Sequence, residues 1–258
     1  MRGLLRSARI FVINLPVLMV LAAPSPSLAQ QQASALEEVL VTARKREENI
    51  QQTPIAISAI SGDALREQGI NNSRELTKTV PSLEIRRGQA NQIYIRGIGE
   101  RTGFARVDPA VGVYLDDIFL PRSDGQLLDT VDVRSIQVLR GPQGTLFGKN
   151  TTGGAINIIT RTPTFDGEAS SYVKGGIGSY KATSLEAGTE AVLIDGVLAA
   201  RISGSLKRDE GYVEVVGQDA NAAQTDFQGA RLSLNWIISE RLDAVLKITK
   251  SGNDSLST

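Results

Sequence analysis

A lysine that follows a glycine at the end of a glycine-rich bend can hold a phosphate. Gly148-Lys149 is such a pair, closing the run Arg140-Gly141-Pro142-Gln143-Gly144-Thr145-Leu146-Phe147-Gly148-Lys149-Asn150. A phosphate-cradling loop needs glycine, four residues, then Gly-Lys-Ser/Thr, with the hydroxyl placed on magnesium. Gln143 stands where the first glycine belongs, and Asn150 where the hydroxyl belongs. The nucleotide reading fails at both positions, and a structural bend is what remains. A second set is Arg101, Phe104 and Arg106 in a polar stretch. Two cations beside an aromatic suit an anionic metal chelate, and a plain solvated loop fits the same residues. The chain has no His and no Cys, so a zinc or haem site is unsupported, a Ser-His-Asp triad is impossible and disulfides are excluded. Its 28 basic and 28 acidic residues cancel, which gives no basic face for nucleic acid.

The bend lies between two strands. Ile136 to Leu139 is an apolar run, and Ala155, Ile156, Ile158 and Ile159 form a second, rich in β-branched residues. Arg140 and Arg161 stand at the strand ends, where a charge can meet a partner outside the core. Upstream, Pro54 opens a strand-like run, Ile55 to Ile60. Ser61 is an N-cap for a helix over Asp63 to Gln68, and Gly69 is its stop. A second short helix starts at Asn72 or Ser73, carries Glu75, Leu76 and Val80, and ends at Pro81. Ser82 to Arg87 and Gln92 to Ile98 read as strands, and Asp116-Asp117 as a turn between Val111 to Leu115 and Ile118 to Leu120. The expectation is a small α+β unit with a mixed sheet and short helices.

After Pro163 the period changes to two. Thr183, Leu185, Ala187, Thr189 and Ala191 share a face opposite Ser184, Glu186, Gly188 and Glu190. Leu198, Ala200, Ile202 and Leu206 oppose Arg201, Ser203, Ser205 and Lys207. Ala230, Leu232, Leu234 and Trp236 oppose Arg231, Ser233 and Asn235; Leu242, Ala244, Leu246 and Ile248 oppose Asp243, Lys247 and Thr249. Glu168 to Gly178 is a weaker fifth strand. Ile194-Asp195-Gly196 and Ser239-Glu240 read as short turns, and Asp209 to Phe227 as a long polar loop. Strands of about ten residues with one apolar face match a transmembrane barrel. A soluble sheet with one wet face alternates in the same way.

The start of the chain adds a destination. Arg2, Arg6 and Arg9 precede an apolar run, Phe11 to Ala23, and Ser27-Leu28-Ala29 offers small residues to a peptidase. Residues 1–29 read as a secretory signal peptide cleaved before Gln30. Beyond a polar leader stands Glu37-Glu38-Val39-Leu40-Val41-Thr42-Ala43, a short extended segment without an evident neighbour. It invites pairing with another strand edge, or forms the first strand of the next unit.

The run Arg140 to Thr160, RGPQGTLFGKNTTGGAINIIT, resembles the plug domain of TonB-dependent outer-membrane receptors. VPSLEIR, IYIRGIG and GVYLDDIFL fall where that family places similar text. The resemblance implies a signal peptide over 1–29, a periplasmic leader with a TonB box over 30–52, an α+β plug domain over 53–163, and over 164–258 the first antiparallel strands of a transmembrane β-barrel. A plugged transporter has about 22 strands, so an incomplete barrel and an N-terminal fragment or truncated product are expected. It further implies that Glu37 to Ala43 pairs with TonB, and that Arg101, Phe104 and Arg106 lie at the plug apex facing a small-molecule ligand such as a ferric siderophore. Arg96 and Arg140 match plug arginines that pair with barrel-wall glutamates, expected here in strands beyond this chain. Lipid would surround the barrel; no cofactor, metal, catalytic residue or enzyme activity is implied. Import of a vitamin, nickel or carbohydrate uses the same front end, and a secreted β-rich adhesion protein would explain the strands but not the box.

Overall fold

The computed structural model describes residues 40–41, 48–49, 53–70, 73–86, 92–100, 108–121, 131–166, 169–211, 213–214, 221–222 and 224–253. The export segment 1–29, five residues of the expected partner strand (Glu37, Glu38, Val39, Thr42, Ala43) and the loop residues Arg101, Phe104 and Arg106 lie outside the described residues. The remaining two partner-strand residues form β1 (Leu40–Val41), which pairs antiparallel with β2 (Glu48–Asn49). The segment that looked solitary therefore has a neighbour in its own chain, Leu40 opposite Asn49 and Val41 opposite Glu48.

β3 (Ile57–Ser61) runs directly into α1 (Gly62–Glu67). The Ser61 hydroxyl accepts from the Ala64 N–H at 3.2 Å, satisfying one of the free amides of the first turn. A 3₁₀ helix, Ser73–Lys78, follows. β4 (Leu83–Arg86), β5 (Gln92–Ile95) and β6 (Ile98–Gly99) make a small antiparallel sheet. Here the expected continuous strand over Gln92 to Ile98 is broken. Arg96 and Gly97 take φ of 53° and 76°, and Ile95 pairs with Ile98. The local signal was Gly97 together with Ile98, which falls out of phase with Ile93 and Ile95.

β7 (Val111–Leu115) and β8 (Ile118–Phe119) flank Asp116-Asp117, whose φ values of 47° and 65° make the expected hairpin turn. β9 (Val133–Arg140), a one-turn helix α2 (Gly144–Phe147) and β10 (Gly154–Thr160) complete the unit. The main sheet has the order β3-β9-β10-β7-β8, with β10 parallel to β7 and the other pairs antiparallel. It is the mixed sheet the sequence implied. Ile60, Val113, Ile136, Val138, Ile156 and Ile158 bury one face with Leu65 and Leu76. Tyr114, Leu139 and Ala155 pack on the other under Phe147, whose ring stands 5.0 Å from that of Tyr114. The glycine-rich bend spends its amides on itself. Gly141 donates to Gly153, Gln143 to Thr151 and Gly148 to Gly144. Those donors are not directed at a phosphate.

β11 (Ser170–Ile177), β12 (Thr183–Ile194), β13 (Leu198–Asp209), β14 (Val213–Glu214), β15 (Asn221–Ala222), β16 (Thr225–Ser239) and β17 (Leu242–Asn253) follow. β11-β12-β13-β16-β17 is an antiparallel meander, and β14 pairs with β15 between β13 and β16. The loop expected over Asp209 to Phe227 is thus shorter. Asp209 pairs with Thr225 and Lys207 with Phe227, because both strands run on past the point where their alternation fades.

This meander is inside out. Arg201, Ser203, Ser205, Arg231 and Ser233 are buried, whereas Ile202, Leu206, Leu232, Leu246 and Ile248 are exposed. Ile202, Leu232 and Ile248 lie side by side across three strands. A soluble sheet with one wet face buries its apolar side; a lipid-facing wall does the reverse. Strands of 12 to 15 residues are long enough for the tilted crossing of the hydrocarbon layer.

The α1 start is a tight point in the α+β unit. A Cβ on Gly62 would meet the Val133 carbonyl, which is backbone and cannot swing away. Gly62→Ala is expected to cost about 1–3 kcal/mol by overpacking, read as a lower urea midpoint by circular dichroism.

Candidate functional site

Register places Glu190, Arg201, Ser233 and Lys247 in one row across β12, β13, β16 and β17. The next row holds Gly188, Ser203, Arg231 and Thr249. Alternation puts these residues on one face, where Arg201, Ser203, Arg231 and Ser233 are buried and Arg201, Arg231 and Lys247 meet the α+β unit. Three positions of the α+β unit come to meet them. Asp116 projects from the β7–β8 turn, Asp132 immediately precedes β9, and Thr160 ends β10. Asp116 and Asp132 both take the left-handed conformation, φ 47° and 64°, which Asp tolerates better than most residues.

Asp132 and Arg201 form a bidentate pair. Arg201 Nε donates to Oδ2 at 2.6 Å and Nη2 to Oδ1 at 2.7 Å. The two side chains are 1% and 5% exposed. Arg201 Nη1 also donates to Glu190 Oε2 at 2.9 Å, and Glu190 Oε1 accepts from the Thr164 N–H at 2.8 Å. Arg161 approaches Asp132 at 4.0 Å and binds Asp63 at 3.0 Å. The second cluster centres on Asp116. Its Oδ1 accepts from Lys247 Nζ at 3.0 Å and from the Thr160 N–H at 2.9 Å; its Oδ2 accepts from Thr160 Oγ1 at 2.6 Å. Arg231 Nη1 stands 3.5 Å from the same Oδ2. Asn235 donates to the Pro163 carbonyl at 3.0 Å, completing the seam.

Burial pushes the Asp116 carboxyl up, but the bonds from Thr160 and Lys247, with the Lys247 charge, outweigh it and hold the group below its ordinary value of 3.8. The folded value is the lower one. The pairing therefore stabilises the seam above the unfolded carboxylate range and loses that contribution as pH falls through the folded value.

The arginines singled out from sequence sit elsewhere. Arg140 donates to Ser58 Oγ at 2.9 Å and to the Ile57 carbonyl at 3.3 Å, inside the plug's own sheet. Arg96 lies exposed in the β5–β6 turn, its backbone N–H on the Ser82 carbonyl. Among the described residues neither meets a wall carboxylate. The charged seam runs with the opposite polarity, plug carboxylates against wall cations. Sequence reading placed Arg201, Arg231 and Lys247 on the polar face but gave them no partner, and took Asp116 only as a turn residue. The available signal was the excess of cations on that face.

Residues 49–155 match the family described as TonB-dependent Receptor Plug Domain. Over those residues the chain carries a TonB-dependent receptor plug domain. The pesticin receptor of Yersinia enterocolitica is 29% identical over 238 residues, 89% of this chain and 33% of that protein. The iron-regulated outer membrane virulence protein of Vibrio cholerae is 31% identical over 156 residues, 58% of this chain and 24% of that one. The crystal structure of the ferric yersiniabactin uptake receptor FyuA from Yersinia pestis superimposes with a TM-score of 0.69 at 24% identity, covering 76% of this chain and 31% of FyuA. The chain spans about a third of the length of the relatives it matches. The receptor's place is the outer membrane, and β11–β13, β16 and β17 are staves of its barrel wall.

Breaking a buried pair by removing one partner costs about 3–5 kcal/mol. Arg201→Gln should therefore speed limited proteolysis of the plug, and Asp132→Asn with Arg201→Gln should cost less than the sum of the two single changes. Independent effects that simply add would remove the clamp. Proteolysis of the unaltered receptor should also accelerate below about pH 4, where unfolded carboxylates titrate. Asp116→Asn should flatten that rise.

Proposed function

We propose that the receptor takes up an iron-siderophore complex across the outer membrane, energised by TonB. The observation that carries the reading is the pairing of a TonB-dependent plug with relatives named as a pesticin receptor, an iron-regulated outer-membrane protein and a ferric yersiniabactin uptake receptor. In this reading residues 1–29 direct export, and Glu37 to Ala43 offers a strand to TonB by β-augmentation. Main-chain hydrogen bonds supply the grip, and pulling reshapes the plug over 53–163 within the wall that starts near 164. Arg101, Phe104 and Arg106 contact the ligand from the plug apex. Arg96 and Arg140 meet wall glutamates of the complete barrel. The ligand is moved without covalent chemistry, so the receptor is a transporter and not an enzyme.

Radioiron uptake from a panel of ferric siderophores, in iron-starved cells lacking their own receptors, tests this. Expression should confer uptake of at least one complex. The uptake should vanish in cells without TonB and fall with Val39→Pro, because proline removes a ladder donor from the offered strand. Failure of every complex in the panel would defeat the siderophore reading, and uptake independent of TonB would defeat the coupling.

A further inference from the structure

We propose that Arg201, Arg231 and Lys247 form a transit site on the wall for a carboxylate-bearing anionic ligand, and that Asp116 and Asp132 of the plug fill it in the closed state. The ligand class rests on the uptake reading above; the geometry stands without it. Each of the three wall cations faces a plug carboxylate: Arg201 faces Asp132, and Arg231 and Lys247 share Asp116. Glu190 is the wall carboxylate paired with Arg201. When the plug shifts, the wall keeps these cations and Glu190 but loses both plug carboxylates. A surface that is neutral when covered becomes cationic when opened, and a passing group that satisfies it must resemble the one that left.

A second observation points the same way. Arg231 is 3% exposed, yet its Nε and Nη1 have no hydrogen-bond partner, and neither do the hydroxyls of Ser203, Ser205 and Ser233. Ser203 is directly opposite Arg231, and Ser233 directly opposite Lys247. Buried donors left unpaired carry the full desolvation penalty. Asp116 is held by Thr160 and Lys247 at hydrogen-bond distance and reaches Arg231 only at 3.5 Å, so the plug fills the site incompletely. A planar guanidinium, an ammonium and flanking hydroxyls are donors that a free carboxylate accepts well.

The probe is citrate, a small polycarboxylate, added to the purified receptor in detergent and measured by calorimetry at constant ionic strength. Asp116→Asn removes the covering charge from Arg231 and Lys247 while leaving the Asp132–Arg201 clamp in place. It should bind citrate at least about tenfold more tightly than the unaltered receptor, and adding Arg231→Gln or Lys247→Gln should return binding to the unaltered level. Far-ultraviolet circular dichroism equal to that of the unaltered receptor reports that the wall is intact. Thr160→Val is the second variant. It loosens the seat of Asp116 without stranding a charge and should give a smaller gain. No gain in either variant, or a gain indifferent to Arg231 and Lys247, overturns the site. This assay involves no transport or TonB. Citrate binding with failed radioiron uptake would remove the siderophore reading and keep the site; uptake without citrate binding would do the opposite.

Discussion

The structure depends on the ion pair between Asp132 of the plug and Arg201 of the wall. Both side chains are almost fully withdrawn from water. Desolvating two charges costs several kcal/mol each, and only good geometry with further hydrogen bonds offsets it. Both conditions are met, through the two parallel bonds to Asp132 and the third to Glu190. Plug and wall are therefore mutually necessary. Without the plug, the wall would hold cations with too few counterions; without the wall, Asp132 and Asp116 would lose Arg201 and Lys247.

The same constraint explains why the meander turns its oily side outward. Along β13, Arg201, Ser203 and Ser205 face the plug, and Ile202 and Leu206 face away. Lipid takes the second set, and the plug's polar rim takes the first. Small residues on the inner face set how closely the two bodies approach. A Cβ on Gly229 would lie 2.5 Å from a Val131 methyl carbon, so glycine there lets the plug reach the wall.

Much of the fold was legible because it rests on local rules. Ser61 caps α1, Asp116-Asp117 turns the chain, and period-two alternation identifies the staves. The site was less legible because it rests on distance. Asp116 and Lys247 are 131 residues apart, and Asp132 and Arg201 are 69 apart. No local pattern records such a meeting. The alternation of Arg201 and Lys247 showed which way they face but not what waits there. Arg96 illustrates the reverse case, a turn that Gly97 and the out-of-phase Ile98 do mark locally.

The sheet order β3-β9-β10-β7-β8 puts the first strand of the plug on the rim of its sheet. β3 is held by a single ladder of five residue pairs to β9, whereas β9 has neighbours on both sides. A load arriving along the backbone from the amino-terminal direction meets this lone seam before it reaches the strand that follows Asp132. The chain thus joins its cork by an edge that can peel, and its charged rivets lie on the far side of that edge.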